Sequence, residues 1–269
     1  MTVTRFLLTA AALLSMLTLP AIGEDSDNDM VRIPAGSYTP LYDKDAASIS
    51  VSAFYLDRVP VTNGQFLEFV RTHPEWRRSQ VKRLFADANY LRHWVGDLDL
   101  GPDAGQVAKA PVTNISWFAA RAYLKPLGKR LPTTDEWEYA ACADATRPDA
   151  TSAPSFHSRI LEWYATPNPE QYPTAESFPE NYHGVNGLHG LVWEWVRDFN
   201  NATVTGESRG DTTLERNLFC AGGALSSGDP SNYAAFMRYA FRSSLGGNYT
   251  VANLGFRGAK SVPEKPANP

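Results

Sequence analysis

Apolar and polar positions alternate along this chain in short stretches, and no single period lasts long enough to describe the whole. Ile49, Val51, Ala53 and Tyr55 recur with the period of a half-buried strand, which Pro60 ends. Thr62 then precedes Phe66, Phe69 and Val70, three residues on one helical face, so its hydroxyl is placed to cap the free amides of a helix that stops near Thr72, His73 and Pro74. The wording Pro60-Val61-Thr62-Asn63 returns as Pro111-Val112-Thr113-Asn114, after which Ser116 is the cap of a helix carrying Trp117, Ala120 and Tyr123. The flanking segments share no sustained period, so the two entrances do not make a repeat protein. Thr133 and Glu136 have the spacing of a capping box just after Pro132, which predicts a helix from about Thr134 through Trp137, Tyr139 and Ala140. Residues 143–154 read as a surface connection and 156–163 as one more helix. Beyond Gly184 the pattern turns to short strands at 191–196, 218–221, 237–242 and 255–259, separated by turns rich in Gly, Asn and Ser. The expected class is α+β, an irregular single domain with long loops.

Composition narrows this further. Nineteen Gly and nineteen Pro in 269 residues are too many chain-breakers for a helical bundle or coiled coil. Lys plus Arg (25) against Asp plus Glu (29) leaves a net charge of −4 and no basic stripe, so nucleic acid is not an expected partner. At the start, Arg5 precedes an apolar run of 14 residues (6–19), then Pro20 and the small triplet Ala21-Ile22-Gly23. That is shorter than the ~20 residues of a spanning helix and reads as a signal peptide over 1–23. An acidic lead-in follows at 24–29, then a domain over 30–260 and a tail over 261–269. The mature protein is expected to be periplasmic or secreted, with no membrane association after leader cleavage. Its two cysteines, Cys142 and Cys220, lie 78 positions apart without zinc-site spacing. Either they form a bridge or each is a small buried apolar side chain.

Seven segments in order resemble the sulfatase-modifying factor family of formylglycine-generating enzymes: FYLDRVPVTNGQFLEFV from Phe54, APVTNISWFAARAYL from Ala110, GKRLPTTDEWEYAA from Gly128, GVNGLHGLVWEWVRDF from Gly184, CAGGA from Cys220, MRYAFRSS from Met237 and NLGFRGA from Asn253. The resemblance implies a C-type-lectin-like α+β domain stabilised by calcium. In the family's enzymes, two cysteines shortly after a Gly-Gly-Ser segment bind copper(I), and oxygen converts a substrate cysteine to formylglycine. Here the corresponding stretch, 222–234, holds no cysteine. The first position falls on Ser227 or Asp229, the second on Ala234, and the serine of Gly-Gly-Ser is Ala224. A hydroxyl and a methyl cannot replace a thiolate pair for copper(I), so formylglycine generation by that route is not expected. Positions that pair cysteines in some relatives are Ala141, Tyr239 and Gly258.

The resemblance also implies a calcium site from the carbonyls of Gly190 and Val192 and the carboxylate of Glu194, although Leu191 and Gly187 depart from the family pattern. The other reading of Glu194 is an acid between packed tryptophans that pairs with Arg257. A copper site around Cys220 has no supporting ligand spacing. His189 falls in a family turn and is expected to be structural, and His93 next to Trp94 is expected on the surface or stacked. No serine-hydrolase elbow, phosphate loop or dinucleotide fingerprint is present.

Two functions follow from the resemblance. One is an accessory or maturation factor that binds a periplasmic redox protein or a peptide; residues 76–98 and 205–223 resemble NirV-type proteins associated with copper nitrite reductase. Trp193, Trp195, Tyr233, Arg238 and Arg242 are its candidate groove residues, because aromatics and arginines anchor such surfaces. The alternative is a cysteine-independent oxidase of a peptidic or phenolic small molecule, as in the pyoverdine-maturation branch.

Overall fold

The structure is a computed structural model that describes residues 29–40, 48–200 and 230–263. In chain order its strands and helices are β1 (Met30–Ile33), β2 (Gly36–Tyr38), β3 (Ile49–Val51), β4 (Phe54–Asp57), α1 (Asn63–Thr72), α2 (Ala104–Val107), α3 (Trp117–Leu124), α4 (Thr134–Ala141), α5 (Pro154–Ala165), β5 (Trp193–Glu194), α6 (Pro230–Ser243), β6 (Leu254–Gly255) and β7 (Ala259–Ser261). The leader, Cys220, Ser227, Asp229, the segment 205–223 and the strand expected at 218–221 lie outside the described residues. Among the described residues, no helix is long and apolar enough to cross a membrane.

The helix entrances form as their sequences dictate. Thr62 accepts from the amide of Gln65 while the Gln65 side chain accepts from the Thr62 amide, and α1 buries Phe66, Phe69 and Val70. The Ser116 hydroxyl accepts from Ala119 N at 3.1 Å to start α3. Thr133 and Glu136 close the same reciprocal box at α4, and Pro154 opens α5 at a position whose missing N–H costs nothing.

The strands depart from their pattern. The run at 49–55 splits because the buried phase slips between Val51 and Phe54: β3 pairs antiparallel with β2, whereas β4 sits between β1 and β7 in a three-stranded antiparallel sheet. Of 191–196 only β5 is a strand, pairing parallel with β6. The run at 255–259 divides between β6 and β7. The stretch 237–242 is helix, not strand. Its alternation put Met237, Tyr239 and Phe241 on one face, but the buried positions are Ala234, Ala235, Arg238 and Arg242, which follow a helical period. Two of them are arginines, which can be buried only because an acid meets them. One core joins β4 (Phe54, Leu56), α1 (Phe66, Val70), α3 (Ala120, Leu124), Trp137, Trp195 and Phe256.

Candidate functional site

The seam between α4, α5 and α6 gathers most of the expected groove residues, in two layers. The inner layer is electrostatic. Glu138 on α4 accepts Arg238 Nε at 3.0 and 3.1 Å, Arg238 Nη2 at 2.8 Å and Arg242 Nη1 at 2.6 Å. Arg238 Nη1 also donates to the Tyr164 hydroxyl at 3.2 Å, and the Arg242 guanidinium lies 4.9 Å from the Trp137 ring centroid. Burial pushes the Glu138 carboxyl up, but the charges of Arg238 and Arg242 and their hydrogen bonds outweigh it and hold the group at about 2. Two cations against one anion leave a local surplus of one positive charge.

The outer layer is aromatic and half-buried. Trp193 on β5 stacks on Tyr164 at 4.9 Å and 21° and on Trp163 at 5.6 Å and 30°, with Phe241 of α6 at 4.5 Å. The β5 position is fixed by Trp193 N donating to Asn253 O at 2.8 Å. Trp163, Tyr164 and Phe241 are the members that the sequence reading missed. Trp163 ends the helix predicted over 156–163, Tyr164 lies one residue beyond it in α5, and Phe241 was assigned to a strand.

Three of the expected groove residues are not surface anchors. Trp195 is 1% exposed and donates Nε1 to Ile115 O at 2.7 Å, so it belongs to the core. Arg238 and Arg242 are buried in the Glu138 cluster. Trp193 and Tyr233 remain half-buried. Ala234, where the resemblance leads one to expect the family's second cysteine, is 1% exposed and packs with Ala150, Phe156 and Ile160.

The metal sites divide differently. Glu194 Oε1 accepts Arg257 Nε at 3.0 Å and Nη2 at 2.8 Å, while Oε2 accepts Arg257 Nε at 2.9 Å and Trp137 Nε1 at 2.8 Å. Both side chains of this pair are 0% exposed. The residues present do not fit calcium at this carboxylate, because a guanidinium already holds it and a second cation would be repelled. The neighbouring turn is also packed: a side chain at Gly187 would stand 3.1 Å from Leu191 Cβ. Among the described residues no group of three His, Cys, Asp or Glu is arranged to hold a metal ion. Cys142 is a free thiol pushed up to about 12, first by burial and then by Glu138, so near neutral pH it is a protonated, buried side chain.

Two of the histidines are held by groups of the fold. His189 bonds Ala141 O through Nε2 at 3.0 Å between the rings of Trp137 and Phe156, and burial holds it at about 3. His93 bonds Asn63 Oδ1 through Nε2 at 2.7 Å and lies edge-on to Trp94.

Residues 18–262 match the sulfatase-modifying factor enzyme 1-like domain. The chain is 29% identical over 298 residues to the formylglycine-generating enzyme of Streptomyces coelicolor, covering 90% of this chain and 92% of that protein. It is 28% identical over 232 residues to the inactive C-alpha-formylglycine-generating enzyme 2 of Bos taurus, covering 71% of this chain and 77% of that one. It is also 30% identical over 156 residues to the serine/threonine-protein kinase pkn1 of Chlamydia caviae, covering 56% of this chain and only 24% of that much longer protein.

Proposed function

The chain belongs to the sulfatase-modifying factor family, with its formylglycine-generating-enzyme fold, and from that premise we propose that it is an exported binding member: an accessory or maturation factor for a periplasmic redox enzyme such as copper nitrite reductase. The observation that carries this reading is what stands at the α5 and α6 seam. Where the family places its second copper-binding cysteine, the chain has the buried methyl of Ala234 in an apolar cluster. Beside it stands a half-buried aromatic stack built on Trp193, which this reading takes as the contact surface. Stacked rings give a large, rigid contact area, and the surplus charge behind them favours a peptide segment with aromatic or acidic side chains. The buried arginines contribute through this field, not by contact. The bovine relative described as inactive belongs to the same family, so a member without the chemistry has a counterpart. Copper nitrite reductase is chosen over other redox enzymes on the likeness of 76–98 and 205–223 to NirV-type proteins.

Calorimetric titration of the mature protein with purified copper nitrite reductase, apo and copper-loaded, tests this. Saturable binding is expected, weakened about tenfold or more by Trp193→Ala. Oxygen-dependent appearance of formylglycine in a sulfatase peptide, followed by mass and aldehyde trapping, would overturn it.

A further inference from the structure

A cavity of about 500 Å³ opens on a different part of the molecule and shares no residue with the aromatic stack. The fold builds its polar end with some care. Asp57, at the end of β4, donates its amide to Gly258 O at 2.8 Å and accepts Gly258 N on Oδ2 at 2.6 Å. A Cβ at position 258 would lie 2.6 Å from that oxygen and 2.9 Å from Lys129 Cδ, so only glycine lets the lysine pass. Lys129 arrives there because Gly128 takes a φ of 63° after α3 and the short turn of helix behind it. Its ammonium lies 2.7 Å from Asp57 Oδ1, with the two side chains only 7% and 10% exposed.

This pair does not exhaust the polar end. An ammonium has three N–H donors, and Lys129 meets one acceptor, Asp57, among the described residues. Tyr123 also lines the cavity, and its hydroxyl has no hydrogen-bond partner among them. Burial, and then the charge of Asp57, push the Tyr123 phenol up, so it stays protonated and remains a donor. Lys129 and Tyr123, both lining residues, therefore carry unspent donors at this end of the cavity. The walls are mostly apolar, from Val59, Val61, Phe69, Pro126 and Leu127, and the two further lining carboxylates, Glu68 and Asp29, are met by Arg71 and Arg58. Donors call for an oxygen acceptor, the walls for an apolar body, and a Lys129–Asp57 pair that is already neutral offers no net charge to a charged ligand.

We propose that this cavity is a second binding site, for an uncharged and largely apolar small molecule whose carbonyl or hydroxyl oxygen accepts from Lys129 and Tyr123. The inference stands apart from the accessory role and survives if that role fails. Its probe is prodan, an uncharged naphthyl ketone whose emission moves to the blue on leaving water. The full chain is expected to bind prodan saturably with one-to-one stoichiometry. Leu127→Trp, which fills the half-buried wall, weakens binding about tenfold or more. Tyr123→Phe keeps the ring packed against Phe66 and Phe256 and removes only the hydroxyl, weakening binding about fivefold. Trp163→Ala, in the aromatic stack, leaves it unchanged. The proposal fails if the chain shows no saturable binding, if Tyr123→Phe and a folded Leu127→Trp both bind like the parent, or if Trp163→Ala abolishes the signal.

Discussion

Two arginine and glutamate assemblies in this protein have bonds of similar length and opposite degrees of closure. In the first, every N–H of Arg257 is spent: Nε on Glu194, Nη1 on the carbonyls of Asp57 at 3.0 Å and Arg58 at 3.1 Å, and Nη2 on Asn186 O at 2.9 Å and Glu194 at 2.8 Å. One guanidinium thus ties the end of β4, the turn at Asn186 and β5 together, in a place with 0% exposure. In the second, Glu138 serves two guanidiniums, and among the described residues the Arg242 guanidinium makes a single hydrogen bond, the one to Glu138. The first assembly is neutral and complete. The second carries surplus charge beneath half-buried rings. The same pair of side chains is a fold-closing device where the backbone supplies the remaining acceptors and a source of field where it does not.

The sharpest way to break the contrast is Arg257→Met. It strands the Glu194 carboxylate and three carbonyls in the core and is expected to cost about 3–5 kcal/mol, read from urea unfolding of the full chain. Arg257→Lys should recover only a minor part, since an ammonium cannot reproduce the planar fork. Glu138→Gln comes next, at about 3 kcal/mol near neutral pH, because it leaves two buried cations facing one neutral amide. It also carries a pH signature. The folded protein holds Glu138 at about 2 against an ordinary 4.5, so its stabilisation is complete above 4.5 and drains away as pH falls toward 2. Unfolding midpoints over that interval should fall less steeply in Glu138→Gln than in the parent. An identical slope would show that the cluster does not hold the proton off.

What could be foreseen follows the same division between local and non-local causes. The caps at Thr62, Ser116 and Thr133 were legible because each is a contact within three residues, and so was the buried face of α1. Pairing of Glu194 with Arg257 was legible as one of two readings, the other being calcium, and chemistry alone did not choose between them. The helical state of α6 was not legible, because Arg238 and Arg242 occupy its buried face and look polar until Glu138, a hundred or more positions away, is known to meet them. Trp193 and Trp195 show the same limit on a strand. Their spacing puts them on a common side by period, yet one is half-buried and the other 1% exposed, since Trp195 lies beyond the end of β5 and turns into the core against Phe199. The seam was assembled from the right neighbourhood of sequence with the wrong members facing out.

A smaller test sits where the two layers of the seam touch. Tyr164→Phe removes the hydroxyl that accepts from Arg238 Nη1 at 3.2 Å while keeping the ring on Trp193. It should cost about 1 kcal/mol by urea unfolding, because Arg238 retains Glu138, and leave partner binding through the stack nearly intact. A loss as large as that of Glu138→Gln would make the tyrosine, not the acid, the pivot of the cluster.

The smallest effect is expected from calcium, and it sharpens the comparison from the other side. A cation bound to the folded state alone would add about 2.7 kcal/mol at a hundredfold excess over its dissociation constant, an easily measured rise in melting midpoint. With Arg257 bonded to both Glu194 oxygens and Trp137 closing one of them, calcium added to chelator-treated protein should leave the midpoint unmoved. The informative companion is Arg257→Met, in which the Glu194 carboxylate loses its guanidinium. If calcium restores stability to that variant and not to the parent, the guanidinium occupies the role a divalent ion would otherwise fill. If the parent itself responds, the ion and the arginine are held together, and the closed assembly is closed by both.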